Sequence, residues 1–123
     1  WCVLGCGGDR DALKRPMMAA AAEAAADQVM LTSDNPRSES PEAILAAMVS
    51  GLIRPAQSLI QADRALAIAQ VVAQAAAQDV VLVAGKGHET EQEIMGVRHP
   101  FSDVLQAQIA LQQRATLHQG ATA

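Results

Sequence analysis

Aromatic side chains are nearly absent from this 123-residue chain, which has one Trp, one Phe and no Tyr. Any core must therefore be assembled from aliphatic side chains and Met. Half of the residues are hydrophobic, so such a core can form. Alanine supplies much of it, however, and a small side chain buries little apolar surface, at roughly 25 cal/mol per Å². Modest stability alone, or support from a neighbouring domain, is expected. Cysteine is scarce: Cys2 and Cys6 cannot make a disulfide framework. Their spacing is not that of a zinc site, and no second Cys/His pair completes one, so both read as reduced structural thiols and no metal site is expected. Basic excess is lacking too. A formal net charge of −4 argues against general nucleic-acid binding, which needs a basic face to replace counterions. No apolar run approaches the roughly 20 residues of a membrane span. The chain does not open on a basic stretch followed by an apolar one, so no secretory signal is read. No membrane partner is expected, and the cytoplasm is the expected location. An initiator Met is also missing, and Trp1–Leu4 already reads as a strand; a domain drawn from a longer polypeptide is expected.

What is present is an alternation. The length suits about one domain. Trp1–Leu4 is a short apolar run ending in Gly5–Cys6–Gly7–Gly8, a strand and a tight turn. Pro16 suits a first helical turn, and Met17, Ala20, Ala21, Ala24 and Ala25 then fall on one helical face. Gln28–Leu31 reads as a second strand. Ser40–Pro41 is a helix start, Ser as the cap and Pro at the first position, continued by the stripe Ile44, Ala47, Met48 and Leu52. Ser58–Gln61 is a weak third strand. Asp63 caps a helix with the face Ile68, Val71, Val72, Ala75 and Ala76. Val80–Ala84 is a continuous aliphatic run, the pattern of a central parallel strand covered on both faces. Glu93–Val97 and Arg98–Phe101 suggest a small hairpin around Gly96, and Ser102 caps a last helix bearing Val104, Ala107 and Leu111. The domain is expected over 1–117, with a polar tail, 118–123, that frays. The order β-α-β-α-β-α-β-hairpin-α implies an α/β fold with a mostly parallel sheet, helices on both faces and a small antiparallel hairpin near the C-terminus.

Ligands of such sheets bind outside the carboxyl ends of the strands. Three loops leave strand ends there with unusual chemistry: Gly5–Asp11, Asp34–Ser40 and Gly85–Glu89. The first is either a tight glycine turn or half of a dinucleotide fingerprint, since it lacks the final spacing of G-x-G-x-x-G. Asp34–Asn35–Pro36–Arg37 is either a plain turn or a seat for an amino-acid carboxylate. A turn does not need the Arg37 guanidinium, whose rigid fork of donors matches a carboxylate. Gly85–Lys86–Gly87–His88–Glu89 is either a glycine turn with solvated charges or a loop in which Glu89 accepts from an ammonium. Gly87 stands where a P-loop needs Ser or Thr, so no phosphate cradle of that type is read in this chain. His88 is as consistent with a loop hydrogen bond as with catalysis, and His99 and His118 have no convincing partner.

Taken together, "GCGGDRDALKRPMM", "TSDNPRSESP" and "VLVAGKGHETEQ" resemble the carboxy-terminal domain of the Mur ligases. The resemblance is strongest to members that add meso-diaminopimelate to UDP-N-acetylmuramoyl-L-alanyl-D-glutamate in peptidoglycan synthesis. It spans nearly the whole chain, with the motifs in the right order. It implies a Rossmann-like domain that brings the incoming amino acid, preceded in the full polypeptide by a UDP-sugar domain and a central ATPase domain that this chain does not contain. It also implies that meso-diaminopimelate is bound by Arg10, Asp34, Asn35, Pro36, Arg37, Gly85 and Glu89, with Arg37 pointing to diaminopimelate rather than L-lysine. No catalytic residue is assigned to this domain. ATP and Mg2+ are implied for the full-length, ATP-dependent enzyme, bound mainly by the central domain, and the isolated domain is expected to be inactive. The alternative is a free-standing Rossmann-like module that binds a small molecule or nucleotide without catalysis.

Overall fold

The structure, a computed structural model, describes the backbone of residues 1–122 and the side chains of 1–117. The chain runs β1 (Cys2–Cys6), α1 (Lys14–Ala25), β2 (Val29–Ser33), α2 (Pro41–Val49), a 3-10 turn (Pro55–Gln57), β3 (Leu59–Ile60), α3 (Arg64–Gln74), β4 (Leu82–Ala84), β5 (Glu91–Ile94), β6 (Val97–Pro100) and α4 (Asp103–Thr122). α4 continues through the stretch expected as a tail, of which the side chains lie outside the described residues. Four strands form a parallel sheet in the order β3-β2-β1-β4, and β5 and β6 pair antiparallel as a separate hairpin. The register places Cys2 beside Val29 and Leu82, and Leu4 beside Leu31 and Ala84.

Successive side chains of β1 and β2 point to opposite faces, and the core divides accordingly. Cys2, Leu4, Cys6, Val29 and Leu31 pack with Ala19 of α1 and with Ile44, Leu45 and Met48 of α2. On the other face, Val3 and Met30 pack with Ala67, Ile68, Val71 and Val72 of α3 and Ala110 of α4. Helices thus cover both faces, as the alternation of elements requires. Both thiols are free and buried. The caps read from the sequence form: Ser40 Oγ accepts from the Ala43 N–H, Asp63 Oδ1 from Leu66 and Ser102 Oγ from Leu105. No described helix is long and apolar enough to cross a membrane.

Three expectations are corrected, one of them the face of α4, where Val104 and Leu111 are exposed and Asp103 and Ala110 are buried. The run Val80–Ala84 is not a central strand: β4 lies at the sheet edge, and Val80 and Leu82 are 79% and 60% exposed. β1 and β2, the shorter-looking signals, are the strands buried on both faces. The face of α1 is also rotated. Met17 is 68% exposed, Ala21, Ala24 and Ala25 are exposed, and the inward stripe is the buried Arg15 and Ala19 continued by the half-buried Ala22. A helix that is alanine on every side gives no hydrophobic phase, so a buried arginine and the sheet set its orientation.

The sheet order places a topological switch at β1. From β1 the chain steps outward to β2 and β3, then returns to β4 on the other side of β1. The crevice beyond the strand ends at such a point is where an α/β sheet admits a ligand.

Candidate functional site

All three polar loops converge on that crevice. The glycine loop after β1 lies against the DNPR loop after β2: the Gly8 N–H donates to the Asn35 carbonyl at 2.7 Å. A Cβ on Gly8 would run into the Pro36 carbonyl, so glycine is required by close backbone approach. Pro36 is fully buried in this contact. Asp9 accepts from the Ser38 hydroxyl at 2.6 Å, and the Asp9 N–H donates to Glu39 at 2.6 Å. Glu39 in turn takes a two-pronged bond from Arg15 (3.1 and 2.6 Å), and Arg15 also reaches the Gly7 carbonyl. The two loops are therefore tied to each other and to the start of α1.

Arg37 sits where these loops meet. Its backbone is left-handed, with φ of 54°. The hairpin holds it there: the Arg37 N–H donates to the Glu93 carbonyl at 2.9 Å, and the Met95 N–H donates to the Arg37 carbonyl at 2.6 Å. The side chain is half-buried, and Nη1 donates to the Gly8 carbonyl at 2.8 Å. Among the described residues neither Arg37 nor Arg10 forms an ion pair. The nearby Asp9 carboxyl is held below its ordinary range, first by the Ser38 hydroxyl and in lesser part by the charges of Arg37 and Arg10. Arg10 is exposed and lines a crevice of about 260 Å³ with Gly5, Gly7, Lys14, Arg15, Asp34 and Gly85. This crevice is rich in cationic side chains and lies at the switch point.

Asn35 braces the site from within. It is buried; its Oδ1 accepts from Lys86 Nζ (3.1 Å) and from the Glu93 N–H (2.9 Å), while Nδ2 donates to Glu89 Oε2 at 3.3 Å. Its oxygen is spent inside the fold, and its remaining donor aims the Glu89 carboxylate. Glu89 is itself exposed. Asp34 is mostly covered and lies 3.4 Å from Lys86 Nζ. Burial pushes its carboxyl up, against the opposing pull of Lys86 and Arg64. Gly85, with φ of 112°, turns the chain directly over Gly5.

Lys86 is the residue that sequence reasoning missed. Flanked by glycines, it reads as a solvated charge, yet it is 3% exposed. Its ammonium donates to the Glu91 carbonyl (2.6 Å), to Asn35 and to Asp34, and it lies 5.9 Å from the centre of the Phe101 ring. This also tests the loop as a phosphate cradle, and it does not fit: its only ammonium is turned inward and fully engaged. Gln92, buried in the hairpin, donates to the Asp34 carbonyl at 2.8 Å. No local pattern marks the ties to Asp34 and Asn35, which join residues more than fifty positions apart. Arg64 was within reach, since it shares the apolar face of Ile68 and Val71.

The class is thus an α/β domain with a polar crevice at the switch point of a parallel sheet. Comparison with known proteins narrows it. The family model described as "Mur ligase, glutamate ligase domain" matches residues 1–87, and the chain belongs to that family. It is 54% identical over 114 residues, 93% of its own length, to a UDP-N-acetylmuramoyl-L-alanyl-D-glutamate–2,6-diaminopimelate ligase of Acidovorax sp.. It is 58% identical over 111 residues, 90% of its length, to the ligase of that name from Chromobacterium violaceum. A solved structure of a ligase with the same name superposes with a TM-score of 0.88 at 50% identity, covering 94% of this chain and 24% of the other. The chain spans 23% and 22% of the lengths of those two relatives.

Proposed function

We propose that the chain is the amino-acid-binding domain of an ATP-dependent, cytoplasmic ligase that adds meso-diaminopimelate to UDP-N-acetylmuramoyl-L-alanyl-D-glutamate during peptidoglycan synthesis. The observation that carries this reading is Arg37: a guanidinium fixed at the sheet rim, bonded among the described residues only to the Gly8 carbonyl and standing beside Gly7, which lines the crevice with Gly85 and Arg10. Meso-diaminopimelate carries an amino-acid zwitterion at each end. In the proposed pose Arg37 pairs with the carboxylate of the distal end, assisted by Arg10, and Glu89, aimed by Asn35, takes the ammonium of that end. Asp34, Pro36 and Gly85 shape the seat. The proximal amine is left free to attack the activated carboxyl of the D-glutamate residue, forming the amide as phosphate departs. ATP, with Mg2+, supplies the acyl phosphate, chemistry assigned to a central domain of the full polypeptide. This domain contributes positioning, which replaces a bimolecular encounter and lowers the barrier by several kcal/mol.

Discrimination against lysine follows from what is left unpaired. Lysine offers Arg37 no distal carboxylate, and a charged hydrogen bond is worth roughly 1.5–3 kcal/mol, about ten- to a hundredfold. Calorimetric titration of the full-length protein with meso-diaminopimelate and with lysine, in the presence of the nucleotide precursor and an unreactive ATP analogue, tests the reading. Arg37→Lys retains the charge but not the fork and is expected to lose most of the preference. A variant that prefers diaminopimelate as strongly as its parent would overturn the assignment.

A further inference from the structure

Arg64 is among the most buried residues of the chain, 1% exposed, at the first position of α3. An ordinary surface helix start needs no arginine beneath it. Here the guanidinium makes four bonds. Nε and Nη2 form a two-pronged pair with Asp103 at the start of α4, both at 2.8 Å. Nη1 donates to the Ser33 carbonyl at 2.9 Å, and Nη2 also donates to the Ala84 carbonyl at 3.1 Å.

Those two carbonyls are the last of β2 and β4. The next residues are Asp34 and Gly85, the first residues of two of the site loops. β2 and β4 do not touch each other; β1 lies between them. The guanidinium therefore crosses beneath the switch point and fixes the separation of the two loops that carry Arg37 and Glu89. A buried ion pair is weak evidence for stability, because desolvation offsets its attraction, so stability alone does not account for its form. A rigid, planar group with donors on several edges suits a spacer between two fixed carbonyls, a task a flexible ammonium cannot perform.

We infer that Arg64, held by Asp103, is a positioning residue for substrate selection: it sets the distance between the carboxylate-binding and the ammonium-binding loops without touching the amino acid. The inference rests on the reading of Arg37 and Glu89 given above. The test uses the full-length ligase, with ATP and the nucleotide precursor saturating. Two variants are compared, Arg64→Lys and the paired Arg64→Met with Asp103→Leu, which replaces the ion pair by apolar side chains. Both are expected to fold, and the paired variant to raise KM for meso-diaminopimelate about tenfold while leaving KM for ATP and for the precursor unchanged, since small misplacements of a bound group are costly. Arg64→Lys moves KM in the same direction, since an ammonium cannot span the two carbonyls as the planar fork does, and the preference over lysine falls in both. A mere strut would lower Tm or shift all three KM values together. A folded variant with KM for meso-diaminopimelate within about twofold of the parent, or the failure of both variants to fold, overturns the inference. Arg37→Lys is measured alongside: if that variant too keeps its preference for diaminopimelate, the substrate reading itself falls, whereas an effect at Arg37 without one at Arg64 removes only the spacer.

Discussion

A single buried ammonium shows how much of the site rests on one side chain. Lys86 satisfies the Glu91 carbonyl, Asn35 Oδ1 and the Asp34 carboxylate at once. Lys86→Met keeps the length of the side chain and removes every donor, leaving the mostly covered Asp34 carboxylate without its ammonium and Asn35 Oδ1 with the Glu93 N–H alone, at a cost on the order of 1–3 kcal/mol. Burial already pushes the Asp34 carboxyl up, and Lys86 is the largest influence opposing it. Without Lys86 the Asp34 carboxyl rises further and takes its proton nearer to neutral pH. Adding Asp34→Asn to Lys86→Met should therefore restore part of the lost stability, read as a recovery of the urea midpoint. A double variant no more stable than the single one would show that Asp34 does not depend on the ammonium. Lys86 also marks what the sequence could reveal at this scale. The three loops, Arg10 and Arg37 were legible because turn residues and unneeded charge stand out locally. The inward role of Lys86 and the bracing bonds of Asn35 were not, because both depend chiefly on partners far along the chain.

At the level of elements, the hairpin is the least massive piece and one of the most consequential, since Glu93 of β5 and Met95 of the turn make the backbone bonds that hold Arg37. Its turn places Met95 and Gly96 at φ of 50° and 77°, the two left-handed positions of a tight two-residue turn. Gly accepts this geometry; Met does so at a penalty of about 1–2 kcal/mol. Asn followed by Gly is the favoured pair there, so Met95→Asn should stabilise the hairpin by up to about 1 kcal/mol. Slower amide hydrogen exchange over β5 and β6 would register the gain, and unchanged exchange would count against the strain. Helix starts were legible at this scale because a cap and its bond are three residues apart. The phase of α1 was not, because alanine carries no preference between faces. The place of β4 was misread for a related reason. A continuous aliphatic run records a demand for burial, not which surface meets it, and here Val80 and Leu82 flank an open apolar groove of about 990 Å³ that also involves Trp1, Cys2 and Leu4.

Across the whole molecule, carboxylates act as staples between distant segments, and this sets the response to acid. Glu39 joins the DNPR loop to Arg15. Glu23 accepts the N–H groups of Ile53 and Arg54. Asp79 accepts from the Ala76 N–H and the Trp1 indole, and Asp9 holds Ser38. These bonds hold all four carboxyls below their ordinary values: the Arg15 guanidinium chiefly for Glu39, backbone N–H groups for Glu23 and Asp79, and the Ser38 hydroxyl for Asp9. A group depressed in the fold stabilises it fully above its unfolded pKa, about 3.9 for Asp and 4.3 for Glu, and loses that contribution as pH falls through the folded value. Asp34 has the opposite sign: raised by burial, it weighs against the fold at neutral pH and is relieved on acidification. As the carboxylates are neutralised, the nine Lys and Arg and three His are left repelling one another. Tm is therefore expected to be level above pH about 5 and to fall steeply below about 4. Glu39→Gln and Glu23→Gln should each melt below the parent at neutral pH and converge with it in acid, where the parent's own carboxylates have been protonated. Melting curves that stay parallel to the parent's from neutral pH into acid would mean that these contacts add nothing through their charge.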